Sequence, residues 1–200
     1  MSRQNKMINV RYLTVTAMLS AIAFVLMLFD FPIAFLIPSF IQMDFSELPA
    51  LIGSFAMGPA CGVMVCLIKN VLHLTISSTG GVGELSNFIL GTAFVLPAGL
   101  IYKHKKSRKS ALAGSLSGAV LMAVISVFSN YLFVYPFYYN FMPKEAILAA
   151  YQAILPSMKS ILQCLICFNM PFTFVKGLLS VVITFLIYKH ISPLLKGTDR

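Results

Sequence analysis

The sequence predicts an all-α integral membrane protein of six transmembrane helices with both termini cytoplasmic, and three observations carry that prediction. Of its 200 residues, 58% are hydrophobic and only 10% charged, with a mean hydropathy of +0.87, more than a soluble core of this size absorbs. Uncharged runs at residues 12–29, 48–68, 85–102 and 110–143 each reach the roughly 18 residues that span a bilayer as helix. In lipid only helices and closed barrels satisfy their backbone, and these runs do not alternate as barrel strands do. Finally, the net charge of +9 is gathered into three segments: Arg3, Lys6 and Arg11; Lys103, Lys105, Lys106, Arg108 and Lys109; and Lys189, Lys196 and Arg200. Asp30, Asp44, Glu47, Glu84 and Glu145 fall near the opposite ends of the spans, and the sixth acid, Asp199, sits in the basic tail. The three basic segments read as cytoplasmic, so the charge sets topology and does not point to nucleic acid.

Inside positions at both termini and at residues 103–109 require an even number of crossings in each half, four before the basic loop and two after it. The first helix covers about residues 11–29. It follows a basic start, but no small-residue cleavage site follows it, so it is a retained span. A Pro-punctuated apolar loop then folds back over the helices. Asp44-Phe-Ser-Glu47 resembles a capping box and starts the second helix, residues 45–58, which Gly58-Pro59 ends early for a full crossing. The third helix returns over 60–77, Thr79-Gly-Gly-Val-Gly83 makes an outer turn, and the fourth covers 84–103 with a kink at Pro97. The fifth covers 111–139, where Tyr131, Tyr135, Tyr138 and Tyr139 suit an outer interface belt. Residues 144–167 form an outer connecting segment broken by Pro156. The sixth helix covers 169–190 with Pro171 in its first turn, where a missing N–H costs nothing. The whole chain, 1–200, reads as one six-helix membrane domain.

Lys176 interrupts the last apolar run beside Gly177, and a cation at that depth must face a ligand, a partner charge or water. Asn169, Thr173 and Lys176 are spaced four and three apart and share a helical face. With Glu84, Asn87 and Asn130 they concentrate polar groups in the outer half, the profile of a pocket open to the outside. Amides, a hydroxyl and an ammonium suit the donor and acceptor edge of a flat heterocycle, with Phe31, Phe45, Tyr131 and Phe172 as flat walls. Alternatively, Lys176 pairs with Glu84 or Glu47 to lock helices together. The glycines up to Gly83 would let a ligand approach backbone N–H groups at a helix start. Lys69 and His73 form either a structural pair with Asp44 or Glu47, or a proton relay. Ala17-Met-Leu-Ser-Ala21 is a small-x-x-x-small pattern suited to close packing by another helix.

Several classes are excluded. No G-x-x-x-x-G-K-[ST] appears, so ATP-driven activity requires partner subunits, and no H-E-x-x-H, G-x-S-x-G or paired-carboxylate pattern supports an enzyme. Cys164 and Cys167 lack a second ligand pair and, like Cys61 and Cys66, behave as small hydrophobes, so no metal site is expected.

Taken together, Asp44-Phe-Ser-Glu-Leu-Pro-Ala-Leu-Ile52, Gly58-Pro59, Ile68-Lys-Asn-Val-Leu-His73, Gly81-Val-Gly-Glu-Leu-Ser-Asn-Phe88, Asn130-Tyr131, Tyr135-Pro136 and Pro171-Phe-Thr-Phe-Val-Lys-Gly177 carry a resemblance over nearly the whole chain. It resembles the riboflavin-specific substrate-binding (S) component of energy-coupling factor (ECF) vitamin transporters, RibU type. The resemblance implies a multi-pass protein of the bacterial plasma membrane that captures riboflavin from outside, without a cofactor. Whether it also takes flavin mononucleotide stays open. It further implies partnership with a transmembrane coupling subunit (T component) and two cytoplasmic ATPases. Asn130 and Lys176 match the polar contacts to the isoalloxazine ring. Thr173 departs from the asparagine usual at its position, leaving open whether Asn169 or Thr173 meets the ligand. Glu84 and its glycines resemble a motif beside the site, and Ala17 and Ala21 the face that docks the coupling subunit. The alternatives are an S component for another vitamin, such as thiamine or biotin, or a secondary transporter that works alone.

Overall fold

The computed structural model describes residues 3–33, 35–77 and 79–196; Asp199 and Arg200 of the basic tail lie outside the described residues. Helix α1 (Arg3–Leu28) leads to a two-stranded antiparallel clasp, β1 (Phe31–Pro32) against β2 (Gln42–Met43), with Phe31 opposite Met43. This clasp folds the apolar loop back over the bundle and buries Ile37 and Met43 against Phe172.

Helix α2 (Glu47–Met57) has only eleven residues, about 16 Å at 1.5 Å per residue, against a hydrocarbon core of about 30 Å. Residues 47–55 are all buried, because α2 packs among α1, α3 (Pro59–His73), α4 (Val82–His104) and α9 (Met170–Lys196). Among the described residues five helical stretches are long and apolar enough to cross a membrane: Val10–Leu28, Pro59–Ile76, Val82–His104, Arg108–Tyr138 and Ile161–Tyr188. The expected second crossing is therefore a short helix sheltered inside the bundle. Its break at Gly58 has φ 103°, a left-handed backbone that favours glycine, and Pro59 follows at the first turn of α3, where its missing N–H is tolerated.

Helix α5 (Arg108–Ser129) is capped by Ser107, whose Oγ accepts from the Ser110 N–H at 3.1 Å. It lies close against α4, since a Cβ on Gly118 would stand 2.2 Å from the carbonyl oxygen of Phe94. It continues through a π-turn (Asn130–Val134) into the short α6 (Tyr135–Tyr138); α7 (Lys144–Gln152) follows. The last helical stretch starts at α8 (Ile161–Cys164), well before the expected residue 169, and runs through a second π-turn (Leu165–Asn169) into α9. Ser160 is the reason for the early start: its side chain accepts the Gln163 N–H and caps α8. Pro171 thus lies inside a continuous helix, not in its first turn.

Both π-turns have a visible cause in the sequence. The closing bonds run from the N–H of Tyr135 to the carbonyl of Asn130 and from the N–H of Met170 to that of Leu165. Each lies immediately before a proline, Pro136 or Pro171. A proline ring clashes with the carbonyl four residues back in an α-helix, and the wider π-turn makes room for it.

Candidate functional site

A cavity of about 240 Å³ opens between the clasp and the helix ends farthest from the basic loop at 103–109. Asn130, Asn169, Thr173, Lys176, Glu84, Gly83 and Asn87 all line it. The two π-turns put the asparagines there: Asn130 opens the first and Asn169 closes the second. Of Asn169 and Thr173, left as alternatives by the sequence, both face the cavity.

Lys176 is buried, and its Nζ donates to Asp44 Oδ2 at 2.6 Å. The partner is neither Glu84 nor Glu47, which the sequence suggested. Asp44, the helix cap expected from the sequence, accepts the Ser46 N–H on Oδ1 at 2.8 Å, ahead of α2, and spends its other oxygen on Lys176. Burial alone would raise the Asp44 pKa, but the adjacent Lys176, then Lys69, and the hydrogen bonds from Lys176 and Ser46 hold it well below the ordinary value of 3.8. Glu47, expected to reach back to the cap, instead turns inward to Lys69 at 2.7 Å. Asp30 at the rim is exposed, and its pKa is raised, first by partial burial and then by the charge of Asp44.

The amide of Asn169 has a fixed orientation. Its Oδ1 accepts from the hydroxyl of Tyr151 at 2.7 Å, and that hydroxyl also hydrogen-bonds the hydroxyl of Tyr135. The Asn169 NH₂ is left to donate elsewhere. Among the described residues, the side chains of Asn130 and Thr173 make no hydrogen bond to protein, so their donors and acceptors are available to a guest.

Glu84 is occupied differently from expectation. Its Oε1 meets His73 Nδ1 at 2.8 Å, and its Oε2 accepts Ser77 Oγ at 2.8 Å and Thr79 Oγ1 at 3.0 Å. The turn N–H groups are spent too: Gly81 donates to Ser77 Oγ and Gly83 to Thr79 Oγ1, both at 3.1 Å. The idea that these amides cradle a ligand is thereby corrected, because hydroxyls within the turn capture them first. Glu84 ties the turn to α3 and shapes the cavity wall.

The aromatic walls also differ. Phe172 lines the cavity, but Phe45 and Phe31 pair with each other at 6.4 Å between ring centroids, outside the lining. Tyr131 is exposed on the outer surface of its π-turn. Their places are taken by Phe40 of the clasp loop and by Tyr135 and Tyr138, which meet Phe40 edge to face. No local signal marked Phe40, since its position depends on how the loop folds back. Ala17 and Ala21 lie far along α1 from the cavity lining and are both exposed. Among the described residues no cluster of three or more His, Cys, Asp or Glu side chains is placed to hold a metal ion.

Comparisons with known proteins place this geometry in context. A family model described as ECF transporter, substrate-specific component, matches residues 11–188. The chain is 35% identical over 188 residues to a riboflavin transporter, RibU, of Staphylococcus aureus (strain TCH60), covering 94% of this chain and 93% of that protein. It is likewise 35% identical over 188 residues to the riboflavin transporter FmnP of Bacillus subtilis (strain 168), covering 92% and 94%. A solved structure described as the S component of a bacterial ECF transporter superposes with a TM-score of 0.73 at 33% identity, over 97% of this chain and 99% of that one.

Proposed function

The chain belongs to the family of ECF transporter substrate-specific components, and we propose that the cargo it captures in its outer cavity is riboflavin. It acts as a transport subunit of the bacterial membrane and not as an enzyme. Support for the cargo comes from its similarity to proteins named as riboflavin transporters over more than nine-tenths of the chain.

One observation carries the site. Asn130, Asn169, Thr173 and Lys176, from two facing helices, converge on one cavity with hydrogen-bonding capacity that the protein leaves unused. The isoalloxazine ring of riboflavin carries carbonyls and an N–H along one edge and is flat and apolar elsewhere. The Asn169 NH₂ and the remaining Lys176 protons serve the carbonyls, while the Asn130 and Thr173 side chains can both donate and accept. Phe40, Tyr138 and Phe172 supply apolar faces for the ring. Lys176 is neutralised by Asp44 at 2.6 Å, so the site suits a neutral polar ring rather than an anion. In this reading Glu84, Gly83 and Asn87 shape the wall, and Phe45 supports the clasp from outside.

Release to the cytoplasm requires energy from outside the chain. The partners we assign are a transmembrane coupling subunit, docked on the α1 face containing Ala17 and Ala21, and two cytoplasmic ATPases. Both alanines are exposed, which allows a second helix to approach closely.

The direct test is titration of the detergent-purified protein, freed of prebound flavin, with riboflavin, following quenching of flavin fluorescence, alongside thiamine and biotin as competitors. Saturable quenching that neither competitor relieves is expected. A folded preparation that fails to quench would overturn the cargo.

A further inference from the structure

Lys69 lies outside the cavity lining, and the proposed capture of riboflavin makes no use of it. It exposes none of its side chain, nor does its partner Glu47, at 0% each. Its Nζ donates to Glu47 Oε1 at 2.7 Å and to Ser46 Oγ at 2.5 Å. Ser46 occupies the N-cap position of α2, where a serine hydroxyl ordinarily accepts a helix N–H; here it makes no such bond and is turned to Lys69. The backbone N–H of the same Ser46 donates to Asp44 Oδ1 at 2.8 Å, and Asp44 Oδ2 accepts from Lys176 at 2.6 Å. The charges therefore alternate in sign through Glu47, Lys69, Asp44 and Lys176, from α3 through the start of α2 to α9. The bundle leaves room for this arrangement, since a Cβ on Gly91 would stand 2.6 Å from Glu47 Oε2.

We propose that Lys69 is a positioning residue for the ligand site: by holding Ser46 and Glu47 it fixes the segment that presents Asp44 to Lys176, and so sets where the Lys176 protons point. The inference rests on the riboflavin reading above. Its physical basis is that a buried ion pair seldom adds net stability over well-packed apolar side chains, whereas a fully satisfied buried network specifies one geometry. Asp44 needs such help because it belongs to a loop, and one hydrogen bond to Ser46 leaves its carboxylate free to follow that loop.

The experiment measures riboflavin affinity and thermal unfolding in detergent for Ser46→Ala, which keeps both charges, and for the charge-neutral pair Lys69→Met with Glu47→Leu. Each change is made in the wild-type chain and in an Asp44→Asn background. Both are expected to weaken riboflavin binding on the order of tenfold in the wild-type chain, the coupling typical of residues in one hydrogen-bond network, and to add little once Asp44 is Asn. Equal losses in the two backgrounds would mean a general effect on the fold and would overturn the proposal, as would unchanged affinity in the folded Ser46→Ala protein. Ser46→Ala decides the matter alone if the double variant does not fold. Absence of riboflavin binding by the wild-type chain would instead overturn the cargo, a result visible before any variant is made.

Discussion

Replacing Lys176 by Met separates its observed role, partner to Asp44, from its proposed one, donor to the ligand. Asp44 is 5% exposed and holds two hydrogen bonds, one of them from Lys176. Removing one member of a buried pair costs about 3–5 kcal/mol; the lower end applies here, because Lys69 still acts on Asp44. Adding Asp44→Leu removes the orphaned carboxylate and should restore stability to within about 1 kcal/mol of the wild type. Binding should not follow stability. A charge-assisted hydrogen bond to the ring is worth about 1.5–3 kcal/mol, so both variants should bind riboflavin roughly ten- to a hundredfold more weakly. Thermal unfolding and flavin fluorescence titration on the same detergent preparations read the two effects. Wild-type affinity in the double variant would refute the argument, since it would confine Lys176 to its structural role.

Three further outcomes are expected. Tyr151→Phe removes the donor that orients the Asn169 amide and should cost about 1 kcal/mol in riboflavin affinity; an unaltered titration would show that the amide orients itself. The Asp44 pKa is depressed in the folded chain, so its contribution to stability is present in full above the unfolded value of 3.8. It is lost progressively as pH falls from there through the folded value. The stability gap between wild type and Asp44→Asn should accordingly be flat from neutral pH to about 5 and shrink below about 4; a gap that closes already at pH 6 contradicts the ion pair. Finally, Ala17→Leu and Ala21→Leu should leave riboflavin binding by the isolated chain unchanged and abolish uptake in cells expressing the coupling subunit and ATPases. Loss of binding would sink the assignment of that face.

The kinds of residue that meet at the site were legible well before their arrangement. Asn169, Thr173 and Lys176 share a helical face by spacing alone, and all three line the cavity. Polar side chains at intramembrane depth are costly enough that their presence signals a use. Phe45 misled because an aromatic beside a helix start looks the same whether it turns toward a cavity or toward Phe31. The glycine turn misled for a related reason: spacing marks its N–H groups as available, but Ser77 and Thr79 consume those of Gly81 and Gly83 locally.

What the sequence determined by itself rests on local periodicity and bulk partition. Long uncharged runs must become helices in lipid, and lysines and arginines at one end of them indicate a direction across it. The widened turns ahead of Pro136 and Pro171 were not among these, since Pro97 sits inside α4 with no such turn ahead of it. Pairing across distance was decided only by the tertiary structure. Asp44 and Lys176 are 132 residues apart, and whether Lys176 meets Asp44, Glu47 or Glu84 depends on which carboxylate the packed helices bring within 3 Å or so. The same holds for Phe40, which becomes a wall of the cavity only because β1 and β2 fold their loop back across the open end of the bundle.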